Sequence, residues 1–121
     1  MGYTNDVRIS TSLEGWNNIK DKLPFTPEIM ETYRNGVVFG WDCITWYEGG
    51  GDHADEINRL LDTELDDKNH PNEFLRIGED LDDTELHRSY WREATTPDIP
   101  HLHAKLVSDA DGTYYIPQVK A

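Results

Sequence analysis

The chain has one cysteine, Cys43, and is short of bases: eleven Lys and Arg stand against 24 Asp and Glu in 121 residues. One thiol excludes an internal disulfide and the paired-cysteine spacings of zinc ribbons, and fits a reducing compartment. The shortage of bases argues against direct nucleic-acid binding, because such surfaces are built from Lys and Arg. No apolar run approaches the roughly 18 residues of a membrane span. The first residues, Met1-Gly2-Tyr3-Thr4-Asn5-Asp6, lack the basic and apolar regions of a signal peptide and, beyond Gly2, depart from a myristoylation start. Together these absences predict a soluble, cytoplasmic protein with no membrane partner.

Catalytic signatures are missing as well. There is no GxSxG, no HExxH and no phosphate-cradling loop; Gly49-Gly50-Gly51 lacks the Lys-Ser/Thr that follows such a loop. Cys43 lies among aromatics in an acidic chain, without the electropositive setting of a nucleophile, and reads as a small buried apolar group. Asp80-Leu81-Asp82-Asp83 and Asp109-Ala110-Asp111-Gly112 offer oxygen ligands, but neither continues into a twelve-residue calcium loop. A pair such as Glu79 and Asp80 would need the large cleft of a glycosidase. His101 and His103 share a strand face and, with His87 or His53, offer imidazoles to a transition metal. With no third ligand at fixed spacing they read as surface histidines. The expectation is a protein that is not an enzyme and holds neither metal nor cofactor. The alternative is a small metal-dependent or carboxylate enzyme built on His101, His103 and the Asp80 to Asp83 cluster.

What the chain does have is aromatic residues and concentrated charge. Thirteen aromatics (four Trp, six Tyr, three Phe) supply a core to a chain that is only 36% hydrophobic, and the length predicts one domain over residues 1–121. The densest run of aromatic and β-branched residues, Val37 to Glu48, reads as an interior strand. Its alternation puts Phe39, Trp41, Cys43, Thr45 and Tyr47 on one face and Val38, Gly40, Asp42, Ile44 and Trp46 on the other. Helices are expected to cover one face. The other is left to a partner or to a second copy, and the dimerisation reading uses Trp41 or Trp46. Gly40 marks a bulge or a close approach.

Around that run the other elements follow from pattern. Tyr3 to Ser10 alternates as a strand. Thr11 with Glu14 predicts a capping box for a helix carrying Leu13, Trp16, Ile19, Lys20 and Leu23, ended by Pro24. Thr26-Pro27 predicts a second, short helix to Arg34, stopped by Asn35-Gly36. Asp52 and Asp55 predict the start of a helix whose inner stripe is Ala54, Ile57, Leu60, Leu61 and Leu65. Glu73 to Ile77 reads as a strand closed by Gly78. Glu79 to Arg88 reads as an acidic loop or short helix anchored by Leu81 and Leu86. His101 to Val107 and Thr113 to Val119 flank an Asp-Gly turn and predict a hairpin. The fold class is α+β: a mainly antiparallel sheet of about four to five strands, two main helices on one face, and a C-terminal hairpin.

The net charge is −13, and its placement is uneven: from Glu48 to Glu85 fourteen acids face three bases, a net of −11. A field so concentrated repels nucleic acid and attracts basic protein surfaces. Carboxylates at helical spacing imitate a phosphate backbone, so Glu48, Asp52, Asp55, Glu56, Asp62, Glu64, Asp66, Asp67, Glu79, Asp80, Asp82, Asp83 and Glu85 form the candidate partner-binding surface.

With Tyr-Thr-Asn-Asp-Val-Arg-Ile at its start, Phe-Gly-Trp-Asp-Cys-Ile-Thr-Trp-Tyr in the middle and Leu-Arg-Ile-Gly-Glu-Asp after it, this short acidic chain resembles the small proteins that phages and mobile elements direct against host defences. Anti-CRISPR proteins are the best-known group. The resemblance implies a non-enzymatic inhibitor, acting in the host cytoplasm, that imitates nucleic acid and blocks the basic binding site of a partner such as a host defence nuclease.

Overall fold

The computed structural model describes residues 3–46, 53–65, 70–89 and 98–120. Five antiparallel strands form one sheet: β1 (Asn5–Thr11), β2 (Ile29–Tyr33), β3 (Gly36–Ile44), β4 (Asn72–Gly78) and β5 (Thr84–Ser89), in the order β2-β3-β1-β4-β5. Two helices, α1 (Leu13–Ile19) and α2 (His53–Glu64), contribute to the core on one face, and a hairpin of β6 (His101–Asp109) and β7 (Gly112–Lys120) packs on the other. The expected α+β class, with a C-terminal hairpin, is what the chain adopts.

Period-two alternation on β1 sends Val7 and Ile9 to the helix side, where they meet Val37, Phe39 and Trp41 of β3, Phe74 of β4, Ile19 of α1, Ala54, Ile57 and Leu61 of α2, and Leu65 just after it. The helical stripe expected for α2 is therefore its buried face. Aromatic contacts knit this layer: Trp16 lies 4.7 Å from Phe39 and Phe25 4.7 Å from Trp41, centroid to centroid. The Trp41 indole N–H donates to the Thr26 carbonyl at 3.1 Å. On the other face Val38, Leu75, Ile77 and Leu102 are buried, with Tyr33, Leu86, Ala104, Tyr115 and Val119 packed against them. The hairpin thus lies chiefly over β4, and from the second face of β3 Val38 packs into the same cluster as its Leu102.

Several local expectations are corrected. The segment from Thr26 to Arg34 is no helix: Ile29 to Tyr33 pairs with β3 as an edge strand and turns back through Arg34-Asn35. Ile29, Thr32 and Tyr33 favour the pleated surface that β3 presents, and pairing outweighs the Thr-Pro start signal. Glu79 to Arg88 divides into a tight turn and edge strand β5, with Leu81 exposed rather than anchoring. The cap of α1 is Ser12, whose hydroxyl accepts from Gly15 N–H at 3.1 Å; Thr11 stays on the strand and donates to the Pro71 carbonyl at 3.0 Å. Leu13 is exposed, so the inward residues of α1 are Gly15, Trp16 and Ile19.

The largest correction concerns β3. Cys43 has φ 54°, the one positive φ outside glycine among the described residues, and the β1–β3 register shifts between Asn5 and Val7. The resulting bulge reverses the alternation, so Ile44 and Trp46 turn to the helix side. Cys43 is pushed out and exposed, not buried. Its N–H donates to Asp6 Oδ1 at 3.0 Å, the kind of local support a strained residue needs. Trp41 and Trp46 are both buried, so neither lies on a free face. At Gly40 the strands approach so closely that a Cβ would strike the Val7 carbonyl.

Candidate functional site

The acidic segment folds into two places, α2 and the β4–β5 turn, and its carboxylates meet different surroundings there. At the turn, Arg76 on β4 reaches across to β5. Its Nη2 and Nη1 donate to the two Asp83 oxygens at 2.8 and 3.1 Å, its Nε to Glu85 at 3.1 Å and its Nη1 to Asn5 Oδ1 at 2.9 Å. The Tyr3 hydroxyl donates to Asp83 at 2.7 Å and accepts from Asp80 N–H at 2.9 Å. Glu79 accepts from both Thr4 N–H and Thr4 Oγ1, at 2.8 and 2.7 Å. Gly78 sits under this knot, where a Cβ would meet Asp83 and the Tyr3 hydroxyl.

These bonds set the ionisation of the turn. The hydrogen bonds from Arg76 and Tyr3 hold the Asp83 carboxyl below its ordinary value, and those from Thr4 do the same for Glu79. Burial alone raises the Glu85 carboxyl, but the bonds from His87 and Arg76 outweigh it and the net shift is downward. The guanidinium of Arg76 is held more firmly protonated, first by its bond to Asp83. Asp83, Glu85 and Glu79 are therefore structural ligands, joining the turn to the start of β1.

On α2 the picture differs. Asp55 and Glu56 occupy the first turn, where negative charge complements the helix dipole. Asp62 is exposed; Glu56 is half-buried. Glu64 pairs with Lys22 of the α1–β2 connection at 2.7 Å. Among the described residues no cation pairs with Glu56, Asp62, Asp80 or Asp82. Glu48, Asp52, Asp66 and Asp67 of the expected surface lie outside the described residues.

Between α2 and the β4–β5 edge lies a groove of about 370 Å³, lined by Asn58, Leu61 and Asp62 from the helix and by Asn72, Phe74, Glu85, His87 and Ser89 from the strands. Its base is apolar, since Phe74 is buried against Trp46 at 5.6 Å. Its rim carries two carboxylates, with His87 Nε2 2.7 Å from Glu85. Sequence pattern did not point to this groove, because its sides come from a helix and two strands spread over residues 58–89.

Three further acids lie outside the expected surface, Glu73, Asp42 and Asp6. Glu73, fully buried, fastens the hairpin: Oε1 accepts from Leu102 N–H at 2.8 Å, Oε2 lies 2.5 Å from His101 Nδ1, and Arg88 Nε is 3.8 Å away. His101 is thereby a structural partner, while His103 beside it is exposed. At the β3 bulge, Arg8 Nη2 lies 2.8 Å from Asp42 Oδ1 as an ion pair without a directed N–H. Burial, then the nearby Asp42, raise the Asp6 carboxyl against the Cys43 N–H bond that lowers it. Among the described residues no group of three His, Cys, Asp or Glu side chains could hold a metal ion, and no helix is long and apolar enough to cross a membrane.

No family model matches the chain, and no curated protein or solved structure matches it.

Proposed function

We propose that this protein is a non-enzymatic, protein-binding inhibitor whose acidic surface docks on the basic, nucleic-acid-binding surface of a partner. One observation carries the reading. Arg76 is consumed inside the fold, while Glu56, Asp62, Asp80 and Asp82 have no cationic partner among the described residues. Charge left uncompensated costs stability through self-repulsion, and a complementary surface recovers that cost on binding. Following the resemblance, the partner class is a host defence nuclease or a similar enzyme with a groove rich in Arg and Lys.

Immobilised full-length chain should capture a protein from host lysate that duplex DNA displaces and that salt releases. Charge reversal at Asp55, Glu56, Asp62 and Asp66 should abolish capture. Capture insensitive to DNA, salt and these reversals would remove the mimicry reading.

A further inference from the structure

The groove between α2 and β4–β5 has a more specific chemistry than the acidic surface around it. Its base is the apolar pair Leu61 and Phe74, and Asp62 and Glu85 stand on opposite sides, helix and strand. Asn58, Asn72 and Ser89 add neutral hydrogen-bonding groups, and the His87 ring, 6.1 Å from Phe74 and tilted 32° to it, forms an exposed planar wall. Glu85 remains ionised because His87 and Arg76 both bond to it. An anion entering here would meet two carboxylates; an aliphatic group would desolvate both and leave Asp62 without a partner.

A guanidinium answers each feature. It is planar, carries five donors, is weakly hydrated and stacks on rings, whereas an ammonium is a compact, strongly hydrated point charge. We propose that this groove receives one arginine side chain of the basic partner, its plane against His87 and the Phe74 base and its N–H groups donating to Asp62 and Glu85. The proposal rests on the acidic-surface reading and adds to it a position and a choice of Arg over Lys.

The test compares a short all-arginine peptide with an all-lysine peptide of equal length, titrated into isotope-labelled full-length chain. Three proteins are used: the parent, Asp62→Asn, and Ser89→Trp, which fills the groove without changing charge. The arginine peptide should bind about tenfold tighter, the ratio one charge-assisted hydrogen bond supplies, with shifts centred on Leu61, Asp62 and His87. Both variants, their urea midpoints confirming the fold, should reduce the arginine peptide to the affinity of the lysine peptide. Equal, salt-sensitive binding of both peptides to the parent would overturn the groove and leave the acidic surface standing. A preference that survives Ser89→Trp would also overturn it. Binding of neither peptide would overturn both readings. An arginine preference at the groove, without any DNA-displaceable partner in lysate, would uphold the groove and overturn the wider reading.

Discussion

In the β4–β5 turn, Asp83 and Glu85 share one guanidinium and Glu79 is held by Thr4; on α2, Glu56 and Asp62 form no ion pair among the described residues. In sequence the two groups look alike, both runs of acids with few bases between. Their surroundings separate them. The turn faces the start of β1 and the inward guanidinium of Arg76, so Asp83, Glu85 and Glu79 are tied within the fold, while Asp80 and Asp82 beside them have no ion pair among the described residues. The outer side of α2 faces solvent, so its charge is available to a partner. A dense acidic segment thus folds into two different electrostatic settings.

The contrast can be broken most severely at the buried acid. Glu73→Ala should cost about 3 kcal/mol, because it strips Leu102 N–H and His101 of their acceptor in a closed site. Urea unfolding measures the loss, and faster amide exchange at Leu102 and Val119 would locate it at the hairpin. Arg76→Ala comes next, at about 2 kcal/mol, less because its carboxylates are partly exposed. A loss below a few tenths would show that the turn charges are not tied as described.

Lowering the pH tests the same region more gently. Asp83 and Glu85 have folded-state values below their ordinary ones, so the unfolded chain binds protons more readily. Their contribution is fully present above about pH 5 and is lost as the pH falls below about 4. Asp6 is shifted upward and works in the opposite sense, favouring the protonated fold. Urea midpoints across that range should therefore fall with pH, and Arg76→Ala should flatten the slope. The smallest effect belongs to α2: Glu56→Gln with Asp62→Asn should change stability by no more than about 0.5 kcal/mol, as surface substitutions do, while removing partner capture.

Much of the fold was legible because its signals are periodic. The α2 stripe, the alternation of Val7 and Ile9, and the Asp-Gly hairpin each repeat a geometry that the residues themselves carry. The edge strands were harder. Ile29 to Tyr33 mixes Glu31 and Thr32 among apolar residues behind a helix-start signal, and Thr84 to Ser89 is polar enough to read as loop. Only pairing with β3 and β4 makes them strands. The Cys43 bulge leaves no mark in the alternation, so Trp46 was placed on the wrong face. The division of the acids depended on Tyr3 and Thr4, more than seventy residues from the carboxylates they hold. No local pattern reports such a contact.

The most direct measurement sets the two acidic groups against each other in paired amide variants, Glu56→Gln/Asp62→Asn and Glu79→Gln/Asp83→Asn, each scored for urea midpoint and for capture of a DNA-displaceable partner. The helix pair should keep its midpoint and lose capture, and the turn pair should lose midpoint and, where folded, keep capture. Equal loss of capture in both, or a helix pair that binds like the parent, would contradict the assignment of binding to α2 and of structure to the turn.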